Sequence, residues 1–228
     1  MPNSDHTTVK SRRRRVWVAT WLLRMYWRYA RNPIMSPVII VNSHNVPRRG
    51  AVIIFGNHPT TREPRMVFTA LNRNMAFLAK DSLFHHPILG PILHWFGHIP
   101  VARGTDKAIE STQFSLEVLA EGGVVVIYPE GGCTPEGEKL GEFKPGLAYL
   151  AQHSRAVAVP TLITGTDQQL PTGWRRWFTA KPPVTVEFGE PLPPPPFSDE
   201  PNAASAERTA FTYLARTVLL GMMPATEE

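Results

Sequence analysis

The chain has 228 residues, of which 43% are hydrophobic and 19% charged, so its composition excludes intrinsic disorder and predicts one folded domain with a short appendage. Its net charge of +5 and pI near 9.6 indicate an anionic partner without distinguishing nucleic acid from phospholipid or a phosphorylated substrate. Cys133 is the single cysteine, which excludes an internal disulfide and gives no sign of an oxidising compartment.

Residues 1–35 combine a basic block with an apolar, aromatic segment. Arg12 to Arg15 come directly before the tryptophan-rich run from Val16 to Leu23. Three later arginines interrupt that run before it reaches the ~20 apolar residues that a membrane-spanning helix needs. We therefore expect an amphipathic helix that lies in the interface of an anionic phospholipid membrane, and no nucleic acid partner.

The alternative for this segment is a disordered basic tail followed by a helix that packs on the domain. A secretory signal is disfavoured, because the apolar run is short and no small-residue cleavage site follows it. We expect a peripheral or monotopic protein at the cytoplasmic face of the cell membrane.

Residues 36–228 predict an α/β domain in which strands and helices alternate. In chain order the predicted elements are strands at 37–41 and 51–55, a helix over 64–71, a helix over 106–121, a strand at 124–128, a helix over 143–153, strands at 156–163 and 184–188, and a closing helix over 203–223. Short apolar strands between helices are typical of a largely parallel sheet flanked by helices, with functional loops at the carboxyl ends of the strands.

Three loops carry the residues suited to chemistry: Asn57 through Glu63, Gly97 through Gly104, and Pro129 through Gly132. In a doubly wound sheet these loops open on the same edge. A histidine, an acid and anion-binding groups are therefore expected to converge there.

His58 and Glu63 have the chemistry of a base and its orienting carboxylate. Attack of an alcohol on an acyl thioester needs a base that works near neutrality, and an imidazole has an ordinary pKa of ~6.5. The departing thiolate leaves readily, since a free thiol has a pKa of ~8.5. A histidine held by one carboxylate is sufficient for that reaction, and Glu63 follows His58 at the predicted start of a helix.

Four segments occur in a recognisable order: Asn57 to Pro64, Lys80 to Gly104, Tyr128 to Gly131, and Val157 to Pro160. The first resembles the His, four residues, Asp motif of the PlsC-like glycerolipid acyltransferase family, which contains the 1-acyl-glycerol-3-phosphate acyltransferases. The other three resemble the second, third and fourth blocks of that family. The resemblance implies an O-acyltransferase built on an α/β domain preceded by membrane-associating helices.

The resemblance also implies roles for individual residues. His58 is the general base and Glu63 its partner, and the acceptor-binding residues are Lys80, Arg103, Glu130, Gly131 and Gly132. The implied acyl donor is acyl-CoA or acyl-carrier protein, used as a cosubstrate with no cofactor and no metal. The default acceptor is 1-acyl-glycerol-3-phosphate.

Two positions depart from the family pattern. Glu63 stands where the family has Asp, and Gly132-Cys133 stand where it commonly has Thr-Arg, so one phosphate-binding arginine is missing. Loss of a bidentate arginine weakens recognition of a phosphorylated acceptor unless Arg103, Lys80 or Arg62 compensates.

These departures leave other functions open. The acceptor is alternatively a non-phosphorylated glycolipid or natural product, and the protein is alternatively an idle membrane-binding homologue or an acyl-thioester hydrolase. A nucleophilic Cys133 activated by His58 is disfavoured, because nothing near it in the sequence is strongly electropositive. Metal binding by His94 and His98 is also disfavoured, because Gly97 and Pro100 argue against a helix that presents both.

Overall fold

The computed structural model describes residues 37–60, 63–101, 105–135, 138–166 and 183–224. The predicted helix within residues 1–35 and the predicted acceptor-binding Arg103 lie outside these ranges. In the described ranges, no helix is both long enough and apolar enough to cross a bilayer.

Seven strands form one sheet, and all but one of its strand pairs are parallel. The strands are β1 (Val38–Val41), β2 (Val52–Gly56), β3 (Met75–Lys80), β4 (Ile99–Val101), β5 (Val124–Ile127), β6 (Val157–Thr164) and β7 (Val184–Phe188). Their order is β1-β7-β6-β2-β5-β3-β4, with β6 and β7 antiparallel. The prediction of a largely parallel sheet in an α/β fold is confirmed.

Helices cover both faces of this sheet. They are α1 (Glu63–Ala70), α2 (Asp81–Phe84), α3 (Leu89–Trp95), α4 (Thr105–Ala120), α5 (Gly146–Ser154) and α6 (Pro201–Met222), with a 3-10 turn at Ser43–Asn45. The sequence predicted α1, α4, α5 and α6, each within a few residues of its observed ends. Helix α3 contains His94 but ends before His98, so the two histidines do not share a helix.

The core has two layers because β2 and β5 lie in the middle of the sheet and bury both faces. Met66 and Val67 of α1 pack on one face against Ile54 and its neighbours. On the other face, helices α4, α5 and α6 cover Ile53 and Phe55. All five residues of β2 are buried, as expected for a central parallel strand.

His98 lies largely buried just before β4. Its Nδ1 accepts a hydrogen bond from the backbone N–H of Phe77 at 3.4 Å, and its ring packs against Phe77 and Phe96. Burial lowers the pKa of His98 to about 4, because an imidazolium loses hydration there. The ring is therefore neutral at physiological pH.

Strand direction determines where the candidate site lies. Strands β6, β2, β5, β3 and β4 are mutually parallel, so their carboxyl ends share one edge of the sheet. The loops that begin at Asn57, Tyr128 and Gly165 therefore open on that edge together.

Candidate active site

Asn57 fixes the loop that follows β2. Its Oδ1 accepts a hydrogen bond from the backbone N–H of Ile163 at 2.8 Å, and its Nδ2 donates to the Ile163 carbonyl at 2.9 Å. The amide side chain therefore continues the pairing of β2 with β6 by about one residue. The backbone just before His58 is therefore fixed to β6.

His58 and Glu63 form a hydrogen-bonded pair at the start of α1. Nδ1 of His58 lies 2.9 Å from Oε2 of Glu63. The other carboxylate oxygen, Oε1, accepts bonds from the Thr60 backbone N–H at 3.1 Å and the Thr60 hydroxyl at 2.7 Å. An ionised carboxylate only accepts, so it holds the imidazole proton on Nδ1 and leaves the Nε2 lone pair for chemistry.

Glu63 is fully buried, with an exposed fraction of 0%. Burial is the largest single influence and raises its pKa, but hydrogen bonds from His58, Thr60 and its own backbone outweigh it and lower the pKa below 4.5. The Thr166 hydroxyl adds a smaller lowering, although it forms no full hydrogen bond within the described part of the chain. The carboxylate is therefore ionised at neutral pH.

Tyr128 forms the floor beneath the imidazole. Its ring stacks on that of His58 with centroids 4.3 Å apart and an interplanar angle of 17°. The Tyr128 hydroxyl is buried and meets no hydrogen-bond partner among the described residues. Burial raises the pKa of Tyr128 well above 10.0, and the Glu63 carboxylate adds to that shift, so the phenol is neutral.

Glu130 connects the histidine loop to the loop that follows β5. Its Oε1 accepts from the His58 backbone N–H at 3.2 Å and the Thr134 hydroxyl at 3.0 Å, and its Oε2 accepts from the Gly141 N–H at 2.8 Å. Thr134 returns a bond from its N–H to the His58 carbonyl at 2.9 Å. These contacts position His58, and the predicted contact of Glu130 with an acceptor stays a prediction.

The other predicted acceptor-binding residues lie around this loop. Gly131 has a φ of +73°, and a Cβ there would lie 2.5 Å from Nζ of Lys144. Gly132 is open, because a Cβ would meet nothing within 4 Å. Lys80 is exposed at the carboxyl end of β3, on the same edge of the sheet.

Cys133 lies on the surface of this loop. Burial is the largest cause that raises the pKa of its thiol, and the nearby Glu63 and Glu130 carboxylates raise it further. Since the thiolate is the nucleophile, the surroundings of Cys133 do not activate it.

The open position of the site is Nε2 of the imidazole. The His58 side chain is 16% exposed, whereas the Glu63 side chain is fully buried. Within the described ranges Nε2 has no hydrogen-bond partner, so its lone pair is available to accept a hydrogen bond from a hydroxyl. This arrangement suits a general base, since a buried carboxylate would stabilise the imidazolium.

Four contributors to the site were not predicted from the sequence: Asn57, Thr60, Tyr128 and Lys144. Tyr128 stands in the third family-like segment, but stacking depends on the register between β2 and β5, which no local pattern specifies. Lys144 approaches Gly131 because its backbone N–H bonds to the Pro129 carbonyl at 2.9 Å. In the described part of the chain, no group of three or more His, Cys, Asp or Glu is arranged to hold a metal ion.

Comparison with known proteins agrees with this geometry. Residues 37–164, more than half of the chain, match the family described as Acyltransferase. The 1-acyl-sn-glycerol-3-phosphate acyltransferase of Limnanthes alba is 29% identical over 69% of this chain and 54% of its own length. The enzyme of that name from Chlamydomonas reinhardtii is 27% identical over 81% of this chain and 55% of its own.

The chain thus spans about half the length of these curated relatives. The fold is also that of a solved structure, the 1-acyl-sn-glycerophosphate acyltransferase PlsC of Thermotoga maritima. The two share a TM-score of 0.62 at 20% identity, over 96% of this chain and 85% of that one. The chain therefore belongs to the Acyltransferase family, with the PlsC-like glycerolipid acyltransferases as its relatives.

Proposed function

We propose that this protein is an O-acyltransferase that moves an acyl group from an acyl thioester to the hydroxyl of 1-acyl-glycerol-3-phosphate. The observation that carries the proposal is the 2.9 Å contact between Nδ1 of His58 and the buried, ionised Glu63. The names of the relatives support the acceptor, and acyl-CoA or acyl-carrier protein is the proposed donor.

In the proposed reaction Nε2 of His58 takes the proton of the acceptor hydroxyl as its oxygen bonds to the thioester carbonyl carbon. The tetrahedral intermediate then breaks its carbon–sulfur bond, and the imidazolium returns the proton to the departing thiolate. Glu63 stays ionised throughout and stabilises the imidazolium through Nδ1.

We also propose that Lys144 supplies the cation that the missing arginine would give to an acceptor phosphate. The Lys144 side chain is exposed, and its ammonium lies against Gly131 at the loop that holds His58. Among the described residues no carboxylate lies within ion-pair distance of Lys144, and the carboxylate of Glu130 in the same loop accepts its hydrogen bonds from His58, Thr134 and Gly141. Lys80 and Arg103 complete the proposed phosphate-binding set.

Membrane attachment at the cytoplasmic face, through the basic segment of residues 1–35, is part of the proposal. A lipid acceptor resides in a bilayer, so an enzyme held at that surface meets it without extracting it into water. The basic block next to tryptophans supports this attachment.

Thiol release from acyl-CoA and from acyl-carrier protein, measured with and without acceptor, tests the reaction. We expect release that depends on 1-acyl-glycerol-3-phosphate and disappears in His58→Ala. Release without any acceptor would instead identify a hydrolase, and no release with any donor or acceptor would identify an idle homologue.

The role of Lys144 is tested by comparing phosphorylated and dephosphorylated acceptors. We expect Lys144→Gln to raise KM for the phosphorylated acceptor by about 10-fold, as loss of one charge-assisted contact predicts, with little effect on 1-acylglycerol. Lys139→Gln is the matched control, because Lys139 is also exposed but its Nζ bonds to the Pro224 carbonyl. Equal effects of the two substitutions would refute the role.

A further inference from the structure

Helices α2 and α3 form a short hairpin with an apolar outer surface, which we call the hairpin face. Five large hydrophobic side chains on it are exposed: Leu83 (41%), Ile88 (71%), Leu89 (37%), Ile92 (45%) and Trp95 (41%). Contiguous exposed apolar surface of this kind marks an interaction site in a folded protein.

Contacts within the hairpin and with α1 hold the two short helices in place. The buried ring of Phe84 in α2 packs against His94 of α3 at 4.9 Å, and the Gly90 N–H bonds to the His86 carbonyl at 2.9 Å. Phe96, just after α3, packs edge-on against Phe68 of α1 at 6.3 Å. The apolar side chains therefore point outward from a supported scaffold.

Within residues 80–101, which contain the hairpin, no side chain is acidic, with one exception. From Ser82 to Val101 the chain has no Asp or Glu, while Lys80 and three exposed histidines border the face. The exception, Asp81, is only 26% exposed and lies 3.8 Å from His85. Exposed aliphatic groups and a tryptophan, in a chain with a net charge of +5, suit the headgroup region of an anionic bilayer.

The hairpin face is also beside the candidate site. Helix α2 begins where β3 ends, and β3 is parallel to β5, which is parallel to β2. The hairpin and His58 therefore share one edge of the sheet. A bilayer against the hairpin face would therefore lie near the edge of the sheet that carries His58.

We propose that the hairpin face docks onto an anionic lipid surface as a second membrane contact, separate from residues 1–35. The inference rests on the proposed function in one respect: the contact would serve to present lipid to His58. Lipid binding itself is measurable without turnover, so its failure and the failure of acyl transfer are separate results.

Vesicle sedimentation of the full chain tests the contact. We expect the double variant Ile88→Ser, Ile92→Ser to bind vesicles of equal phosphatidylglycerol and phosphatidylcholine on the order of 100-fold more weakly, given the transfer free energy of two aliphatic side chains. The matched control is Tyr213→Ser, Leu214→Ser on α6, where the side chains are exposed to 74% and 46%. Unchanged binding of the hairpin variant, or an equal loss in the control, would overturn the proposal.

A fluorescent probe then identifies the occupant of the face. In a Cys133→Ser background, a polarity-sensitive dye on Ile88→Cys should shift to the blue when these vesicles are added, and the same dye on Tyr213→Cys should not. A dye on Ile88→Cys that is already blue-shifted without vesicles would show that another segment or a second copy covers the face. That result would overturn the lipid assignment. So would an equal shift with pure phosphatidylcholine, because it removes the role of anionic charge.

Discussion

Replacement of Glu63 by glutamine tests whether the buried carboxylate determines the protonation of His58. In Glu63→Gln the new side chain would keep an acceptor for the Thr60 N–H and hydroxyl on one side and present an amide NH₂ to Nδ1 on the other. Nδ1 must then accept, which moves the imidazole proton onto Nε2 and removes the lone pair that takes the hydroxyl proton. We expect kcat to fall on the order of 10³- to 10⁴-fold, or about 4–5.5 kcal/mol of barrier.

The assay is acceptor-dependent thiol release at saturating acceptor, with kcat separated from KM. The acceptor does not touch Glu63, so KM should change little. The midpoint of thermal unfolding should also change little, since glutamine has the size of glutamate and keeps hydrogen-bond partners for His58 and Thr60. A kcat within about threefold of wild type, alongside an inactive His58→Ala, would refute the claim that Glu63 sets the tautomer.

Glu63→Asp is the matched comparison. Removal of one methylene withdraws the carboxylate by about 1.5 Å, so the 2.9 Å contact with His58 is lost unless α1 shifts. We expect an intermediate activity, below wild type and above Glu63→Gln, because the negative charge remains near Nδ1. Aspartate, which is usual at this position in the family, is therefore expected to give lower activity than glutamate in this chain, because the surrounding backbone here fits Glu.

Three further predictions concern stability and positioning. The pKa of His98 is about 4 in the folded chain and ~6.5 when unfolded, so the free energy of unfolding decreases as pH falls from 6.5 to 4. Urea unfolding should show a decrease of about 3 kcal/mol in wild type, and this decrease should be absent in His98→Asn. Glu130→Gln should reduce the free energy of unfolding by about 1–3 kcal/mol and should also reduce kcat, because an NH₂ group in place of Oε2 cannot accept from the Gly141 N–H; unchanged values would contradict the positioning role of Glu130. Tyr128→Phe, which removes a buried hydroxyl with no described partner, should leave kcat unchanged and stability equal or higher in thermal unfolding, whereas Tyr128→Ala should lower both.

The sequence predicted the parts of the fold that depend on local pattern. Apolar, β-branched runs identified β1, β2, β5 and β6, and β7 was identified although its apolar residues alternate with Thr185 and Glu187. It missed β3 and β4, since Met75–Lys80 mixes alanine with larger residues and Ile99–Val101 is only three residues long and contains a proline. The hairpin between them was also missed, because Pro and Gly conceal two short helices.

In the site, the sequence predicted that Glu63 meets His58, and it missed most of the contacts that hold the two residues. His58 and Glu63 stand close in the chain, so their meeting depends on one strand-to-helix loop. Tyr128 and Glu130 reach His58 from 70 or more residues away, through the pairing of β2 with β5. Contacts of that range follow from strand register, which a single sequence does not encode locally.

The single carboxylate of Glu130 holds the loop after β5 at two points, Thr134 and Gly141, while it also holds the amide of His58. Sequence changes confined between those two points therefore leave the base in place. A different loop between Thr134 and Gly141 could therefore contact a different acceptor while His58 and Glu63 keep their positions. Cys133, at the place of the missing arginine, lies just before this segment and next to the residue that fixes it.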